Sequence, residues 1–242
     1  MAALFLGVIF DVDGVLVDSP HERAWREALA PYADPASFTT AFYQANVAGK
    51  PRLAGARAAL ERLGGAGALD HVSAYADAKQ RLIERLIAEG AFHAFPDALR
   101  LVAALRGIGL KLALASSSRN AAAMLRQVAM PGGTSLLSLF DADLSGRPVP
   151  RGKPDPALFL LAADALGVVP ARCVVVEDAP AGVRAARNGG MVALGVARLG
   201  DAALLREAGA DLVVTSLDLL DTAALAEGAL RARAATEAAP DA

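Results

Sequence analysis

An apolar run, Leu4 to Phe10, empties into two aspartates two residues apart, in the stretch "FDVDGVLVDS" from Phe10 to Ser19. No other feature restricts the fold as much. A short continuous apolar run fits a strand covered on both faces, and such a strand does not ordinarily finish in paired carboxylates with a glycine behind them. Four more runs of the same kind follow: "LKLALA" (110–115), "CVVVE" (173–177), "MVALGV" (191–196) and "DLVVTS" (211–216). Helical patterns separate most of them. "PDPALFLLAADALG" opens on prolines and closes on Gly167, with Phe159, Ala163 and Leu166 at i, i+4 and i+7. "APAGVRAARNGG" also closes on glycine. Strands alternating with helices predict an α/β fold with a doubly wound parallel sheet.

Residues 20–92 break that rhythm. "PHERAWREALA", "PASFTTAFYQANV", "PRLAGARAALERLG" and "VSAYADAKQRLIERLIAEG" read as helices, punctuated by Pro31, Pro35, Gly49, Pro51 and "GGAG" at 64–67. The expected division is a core of residues 1–19 and 93–229, an inserted all-helical cap of 20–92, and an Ala-rich disordered tail of 230–242. With 55% hydrophobic and 21% charged residues over 242 positions, a packed soluble core is expected. The net charge of −2 supplies no basic field for nucleic acid. The N-terminal run lacks a basic leader and is cut by "DVDG" after ten residues, so neither a signal peptide nor a membrane partner is expected. Cys173 is the one cysteine, which excludes an internal disulfide and fits a reducing cytoplasm. Its setting predicts a small buried residue rather than a reactive thiol. A monomer is expected.

In open α/β sheets ligands collect at the carboxyl ends of the strands. Those ends carry Asp11 and Asp13, then Ser116, Ser117 and Ser118 leading through Arg119 and Asn120 into a helix, then Glu177 and Asp178. Lys153, in "RGKPDP", is placed at the start of the helix before the third strand. Taken singly, each could be a turn residue or a helix cap. Three such groups at the strand ends of one sheet, with the lysine beside them, describe a site. Clustered carboxylates must share a proton or bind a cation, and oxygen ligands without cysteine or histidine favour Mg²⁺ over zinc. Hydroxyls and amides at a helix N-terminus, with a lysine beside them, suit a phosphoryl group. Of 24 basic residues only Lys50, Lys79, Lys111 and Lys153 are lysines, which marks Lys153 as a compact point charge kept where arginine is the default.

On these residues the chain resembles the haloacid dehalogenase superfamily of phosphotransferases, a Rossmann-like fold. "DVDGVLVD" meets the pattern Asp-x-Asp-Gly-x-x-x-Asp, "LALAS" the strand ending in a hydroxyl, "GKPDP" the lysine, and "VVVEDAPAGV" the acidic pair after a strand. The resemblance spans roughly residues 5–216. It implies that Asp11 is a nucleophile forming an aspartyl-phosphate and that Asp13 is the general acid and base. It implies Mg²⁺ on Asp11, Asp13 (through its main-chain carbonyl) and Asp178, with Glu177 in or beside that set, and Ser116 and Lys153 on the phosphoryl group. The helical insert after the first motif resembles the branch holding beta-phosphoglucomutase. There a histidine precedes a tryptophan by four residues, met by His21 and Trp25. A Gly-x-x-Arg cap loop is met by Gly49 to Arg52, and a cap lysine by Lys79. A Ser-Lys-Asn segment is met by Ser118, Arg119 and Asn120 with the charge kept. The chain departs from the branch where "LAGA" follows Arg52 without a hydroxyl.

The activity so implied is Mg²⁺-dependent phosphoryl transfer on a small phosphorylated substrate, a sugar phosphate, by a mutase taking beta-glucose 1-phosphate to glucose 6-phosphate. The alternative in the same fold is a phosphatase of small phosphate esters. A receiver-like module switched by aspartyl phosphorylation shares the carboxylates and lysine, but such modules are about half this length and have no helical cap. Neither "GxxxxGK[ST]" nor "GxSxG" occurs, which argues against a P-loop kinase and a serine hydrolase.

Overall fold

A computed structural model describes residues 4–233 of the chain. The first apolar run forms β1 (Gly7–Phe10), with every residue buried. The chain then makes a short strand β2 (Val17–Asp18), a set of helices, and a short return strand β3 (His93–Ala94) that pairs antiparallel with β2. Beyond it come β4 (Lys111–Leu114), β5 (Ala142–Asp143), β6 (Cys173–Glu177), β7 (Val192–Val196) and β8 (Leu212–Val214). The main sheet is parallel in the order β5-β4-β1-β6-β7-β8. Phe10 lies level with Leu114 on one side and Val176 on the other. The chain crosses to opposite sides of β1 to build these neighbours, so the crevice of a doubly wound sheet opens at the carboxyl end of β1.

The strands read as unbroken apolar runs because both faces are covered. Val8, Phe10, Leu112, Leu114, Val174 and Val176 face one layer, formed by α5 (Pro96–Gly107) and α6 (Ala121–Gln127). Ile9, Ala113 and Val175 face the other, formed by α7 (Ala157–Leu166) and α8 (Pro180–Asn188). Alternation along each strand assigns the faces. Each fully buried side chain of this kind stabilises by about 1.5–3 kcal/mol, so the site grows from the best-packed part of the molecule.

Between β2 and β3 lie α1 (His21–Ala28), α2 (Thr40–Asn46), α3 (Arg52–Leu63) and α4 (Val72–Ala88). They enclose an apolar cluster of their own around Trp25, Leu29, Phe38, Leu60 and Tyr75. The Tyr75 hydroxyl donates to the Trp25 carbonyl at 2.9 Å, so the large ring is buried with its polar end satisfied.

The two-residue strands β2, β3 and β5 were not anticipated, because segments that short carry no periodicity. Lys153 lies in the loop before α7 and not at the helix start. Most of the expected tail falls outside the described residues. Its first part is pinned rather than frayed: Ala232 pairs with Leu220, and the Arg233 amide donates to the Leu219 carbonyl at 2.7 Å. No described helix is long and apolar enough to cross a membrane.

Candidate active site

Asp11 leaves β1 with its amide bonded to the Val176 carbonyl at 3.0 Å and its side chain buried. The backbone then folds into a tight turn, with the Leu16 and Val17 amides both donating to the Val12 carbonyl, at 2.9 and 3.0 Å. Gly14 is required twice. Its φ is +81°, and a Cβ there would lie 2.0 Å from Asp178 Oδ2. The glycine behind the two aspartates therefore lets a third carboxylate, from the end of β6, rest against the turn.

Lys153 reaches this group from the loop before α7. Its Nζ donates to Asp11 Oδ1 and to Glu177 Oε1, both at 2.6 Å, and lies 4.8 Å from the Phe159 ring centre. Burial pushes the lysine down, but the charges of Asp11 and Glu177 more than reverse this and hold it protonated. Burial raises the Asp11 carboxyl, Lys153 opposes the rise, and Glu177 and Asp13 add to it. The 2.6 Å contacts have the length of charge-assisted hydrogen bonds, with lysinium donating to the two carboxyl groups. Burial, then Glu177 and Asp11, likewise raise Asp178.

Glu177, expected in or beside the metal set, is engaged through both oxygens. Its Oε1 is taken by Lys153, and its Oε2 accepts the Asp178 and Ala179 amides at 3.1 and 3.0 Å. A Cβ on Gly182 would come within 1.8 Å of Oε1, so the carboxylate is sealed under α8. Glu177 orients the lysine and does not face the cavity.

The helical layer supplies the other wall. His21 Nε2 lies 3.2 Å from Asp13 Oδ1 and 3.3 Å from Ser118 Oγ, and Lys79 Nζ lies 2.6 Å from His21 Nδ1. An ammonium can only donate, so Nδ1 accepts and the ring proton sits on Nε2, beside Ser118 Oγ and Asp13 Oδ1. Lys79 also lies 5.0 Å from the Trp25 ring centre, which gives the tryptophan a role beyond packing. Burial lowers His21, with Asp13 opposing. Burial, with Arg52 adding and Asp13 opposing, brings Lys79 down to about 8. Asp13 is pushed up by burial but held at about 2 by His21, Ser19 and Lys79. The His21 approach to Oδ1 is close without the alignment of a hydrogen bond, so that oxygen is buried without a partner.

Two loops close the space between the layers. The Ser117 hydroxyl donates to the Gly49 carbonyl at 3.2 Å, Gly49 (φ +72°) rests on Ala179, and Pro51 packs so tightly on Gly152 that a Cβ there would lie 2.0 Å away. The cavity between them is about 290 Å³. Every expected site residue lines it except Glu177 and Asn120. Asn120 instead accepts from Gln80 at 3.3 Å, and Arg52, though at the wall, is paired with Asp77. Ser116 is buried beneath the cavity, its Oγ accepting the Ser118 amide at 3.1 Å. Arg119 sits at the rim, its backbone packed against Gly146.

Tyr43, Lys50 and Arg147 line the cavity without having been anticipated. Burial, then Asp13 and Asp178, push the Tyr43 hydroxyl well above its ordinary value. The available signal for Arg147 was its place in a Gly/Pro-rich loop six residues before Lys153.

The Asp11 and Asp178 carboxylates and the Asp13 main-chain carbonyl offer only oxygens, and this donor chemistry fits Mg²⁺. Among the described residues no three His, Cys, Asp or Glu side chains converge closely enough to enclose an ion by themselves. That suits a metal which keeps waters and accepts main-chain and substrate oxygens.

Residues 5–190 match the family model described as haloacid dehalogenase-like hydrolase. The chain is 34% identical to the Mycobacterium bovis protein named beta-phosphoglucomutase, over 86% of this chain and 88% of that one. It is also 34% identical to a phosphorylated carbohydrates phosphatase of Thermotoga maritima, over 88% and 96%. Among solved structures, the archaeal beta-phosphoglucomutase from Pyrococcus sp. strain ST 04 superposes with a TM-score of 0.73 at 32% identity, covering 92% of this chain and 99% of that one.

Proposed function

This chain belongs to the haloacid dehalogenase-like hydrolases, in their beta-phosphoglucomutase-like branch, and on that premise we propose that it is a Mg²⁺-dependent sugar-phosphate mutase. Its proposed conversion is beta-glucose 1-phosphate to glucose 6-phosphate, through an aspartyl-phosphate on Asp11. The observation that carries the reading is the line from Asp13 through His21 to Lys79, which spans core and helical layer. It ties the proton-transfer group to closure over a bound sugar.

With Asp11 phosphorylated, a sugar-phosphate hydroxyl attacks phosphorus, the new O–P bond forming as the bond to Asp11 breaks. Asp13, held ionised, receives the hydroxyl proton. The resulting bisphosphate turns over in the cavity. Asp11 then attacks the other phosphoryl group, and Asp13 returns the proton to the departing oxygen. Lys153 holds Asp11 through one oxygen and leaves the other to attack. Ser116 and the Ser117 amide would face the transferring oxygens. Asp11, the Asp13 carbonyl and Asp178 would hold Mg²⁺, which when bound offsets the charge of an anion approaching a carboxylate. The buried, free Cys173 accords with work in the cytoplasm.

Phosphatase action is the second reading, favoured by the Arg52–Asp77 pair, which occupies a guanidinium that a distal phosphate would use. Beta-glucose 1-phosphate primed with glucose 1,6-bisphosphate separates the two. Glucose 6-phosphate is the expected product, and Arg52→Ala is expected to harm this conversion far more than hydrolysis of acetyl phosphate. Free glucose and phosphate appearing at the rate of substrate loss would establish the phosphatase.

A pH effect follows from Lys79. Below about 8 its ammonium donates to His21 Nδ1 and keeps the ring proton on Nε2, beside Asp13. As pH rises through that value the charge is lost, and the neutral amine, which can accept as well as donate, no longer fixes the tautomer. Mutase turnover is therefore expected to fall on the alkaline side of about 8, and Lys79→Arg to move that limb to higher pH. A profile flat from pH 7 to 9.5 would sink the assignment of the limb to Lys79.

A further inference from the structure

Arg198, just beyond β7, lies outside the lining of the cavity. Its guanidinium nevertheless reaches the turn that carries the reacting carboxylates. Nε donates to the Gly14 carbonyl at 3.3 Å and Nη2 to the Val15 carbonyl at 3.1 Å. The same group forms a two-pronged pair with Asp97 in the first turn of α5, at 2.8 and 3.1 Å, and lies 3.9 Å from the Phe95 ring centre. Asp97 in turn accepts the Ser216 hydroxyl at 2.9 Å and the Leu217 amide at 2.8 Å, just after β8. The neighbouring carbonyl of the turn, Leu16, accepts the Phe95 amide at 3.0 Å. Both side chains are nearly enclosed, at 14% and 8% exposure.

These contacts join four segments: the turn after β1, the return crossing from the helical layer, and the ends of β7 and β8. Asp178 supports Gly14 from the cavity side. Arg198 holds the carbonyls of the same turn. We infer that Arg198 is a positioning residue, which fixes the Gly14–Val15 backbone and the return crossing as one unit so that Asp13 meets His21 in register with Asp11. The inference rests on the phosphoryl-transfer reading for its catalytic consequence. A rigid base beneath a reacting group matters because displacement of about 1 Å costs roughly 100-fold in rate.

Arg198→Ala and Arg198→Lys test this, with acetyl phosphate as phosphoryl donor at a temperature where each variant is folded. Arg198→Ala is expected to lower kcat roughly 100-fold while KM stays within about threefold, because no substrate contact is removed. Added guanidinium ion is expected to restore part of kcat, and Arg198→Lys, with one charge and no planar fork, to stay well below wild type. Amide exchange at Leu16 and Val17 is expected to quicken roughly tenfold while Val174–Val176 stay protected. Wild-type kcat in folded Arg198→Ala would overturn the inference, as would exchange that quickens everywhere alike. If the alanine variant does not fold, wild-type kcat and exchange in Arg198→Lys would overturn it. If wild-type protein turns over no phosphate ester, the phosphotransfer reading fails, and exchange at Leu16 and Val17 still decides whether Arg198 holds the turn.

Discussion

Asp11→Asn is expected to abolish turnover while leaving the fold in place, a fall on the order of 10⁶-fold in kcat, the scale seen when a covalent enzyme loses its nucleophile. The amide matches the carboxylate in shape, and its oxygen can still accept from Lys153, which keeps its second partner in Glu177. The buried lysine is therefore not stranded, and the melting temperature should change little. What is lost, on the proposed mechanism, is the anionic oxygen that attacks phosphorus. Beryllofluoride with Mg²⁺ should bind at residue 11 of the wild type and fail to bind the variant. Trapping of that ion beside another residue would remove Asp11 from the role.

The residues of this site divide by how their positions are determined. Asp11, Ser116 and Asp178 stand directly after apolar runs, and in a doubly wound sheet the ends of those runs must share one edge. That edge was legible before any coordinates. Which way Glu177 points follows from the parity of its strand end. Val174 and Val176 face the α5–α6 layer, so Glu177, like Val175, points towards α7 and α8, where Lys153 meets it. Arg52 and Asp77 lie 25 residues apart on different helices, and their pairing depends on how α3 packs on α4. No local pattern encodes that. Arg198 is a lone arginine after a strand, and its meaning lies in partners drawn from positions 14, 15 and 97. The short strands β2 and β3, which carry the chain into the helical layer and back, are fixed by pairing rather than by periodicity.

Lys153→Met is expected to be the most destabilising change at the site as well as an inactivating one. Methionine fills the volume, and Phe159 would still pack against it, so no cavity explains the effect. The loss is electrostatic. Two carboxylates, Asp11 at 5% exposure and Glu177 at 0%, would face each other without a cation. Removing one partner of a buried pair costs about 3–5 kcal/mol, which in a chain of this size lowers the melting temperature by roughly 10 °C. The pH dependence carries its own sign. Asp11 is already raised from 3.8 to about 7, by burial foremost, with Lys153 opposing. A carboxyl whose folded value exceeds its unfolded value stabilises fully below the unfolded value, and that contribution is lost as pH rises through the folded value. Without the lysine the folded value climbs further, so the variant goes on losing stability above pH 7 where the wild type has finished. The gap between their melting temperatures, measured in chelator, should widen from pH 6 to pH 9. A gap that narrows over that interval would mean that Lys153 is not the charge holding Asp11 ionised.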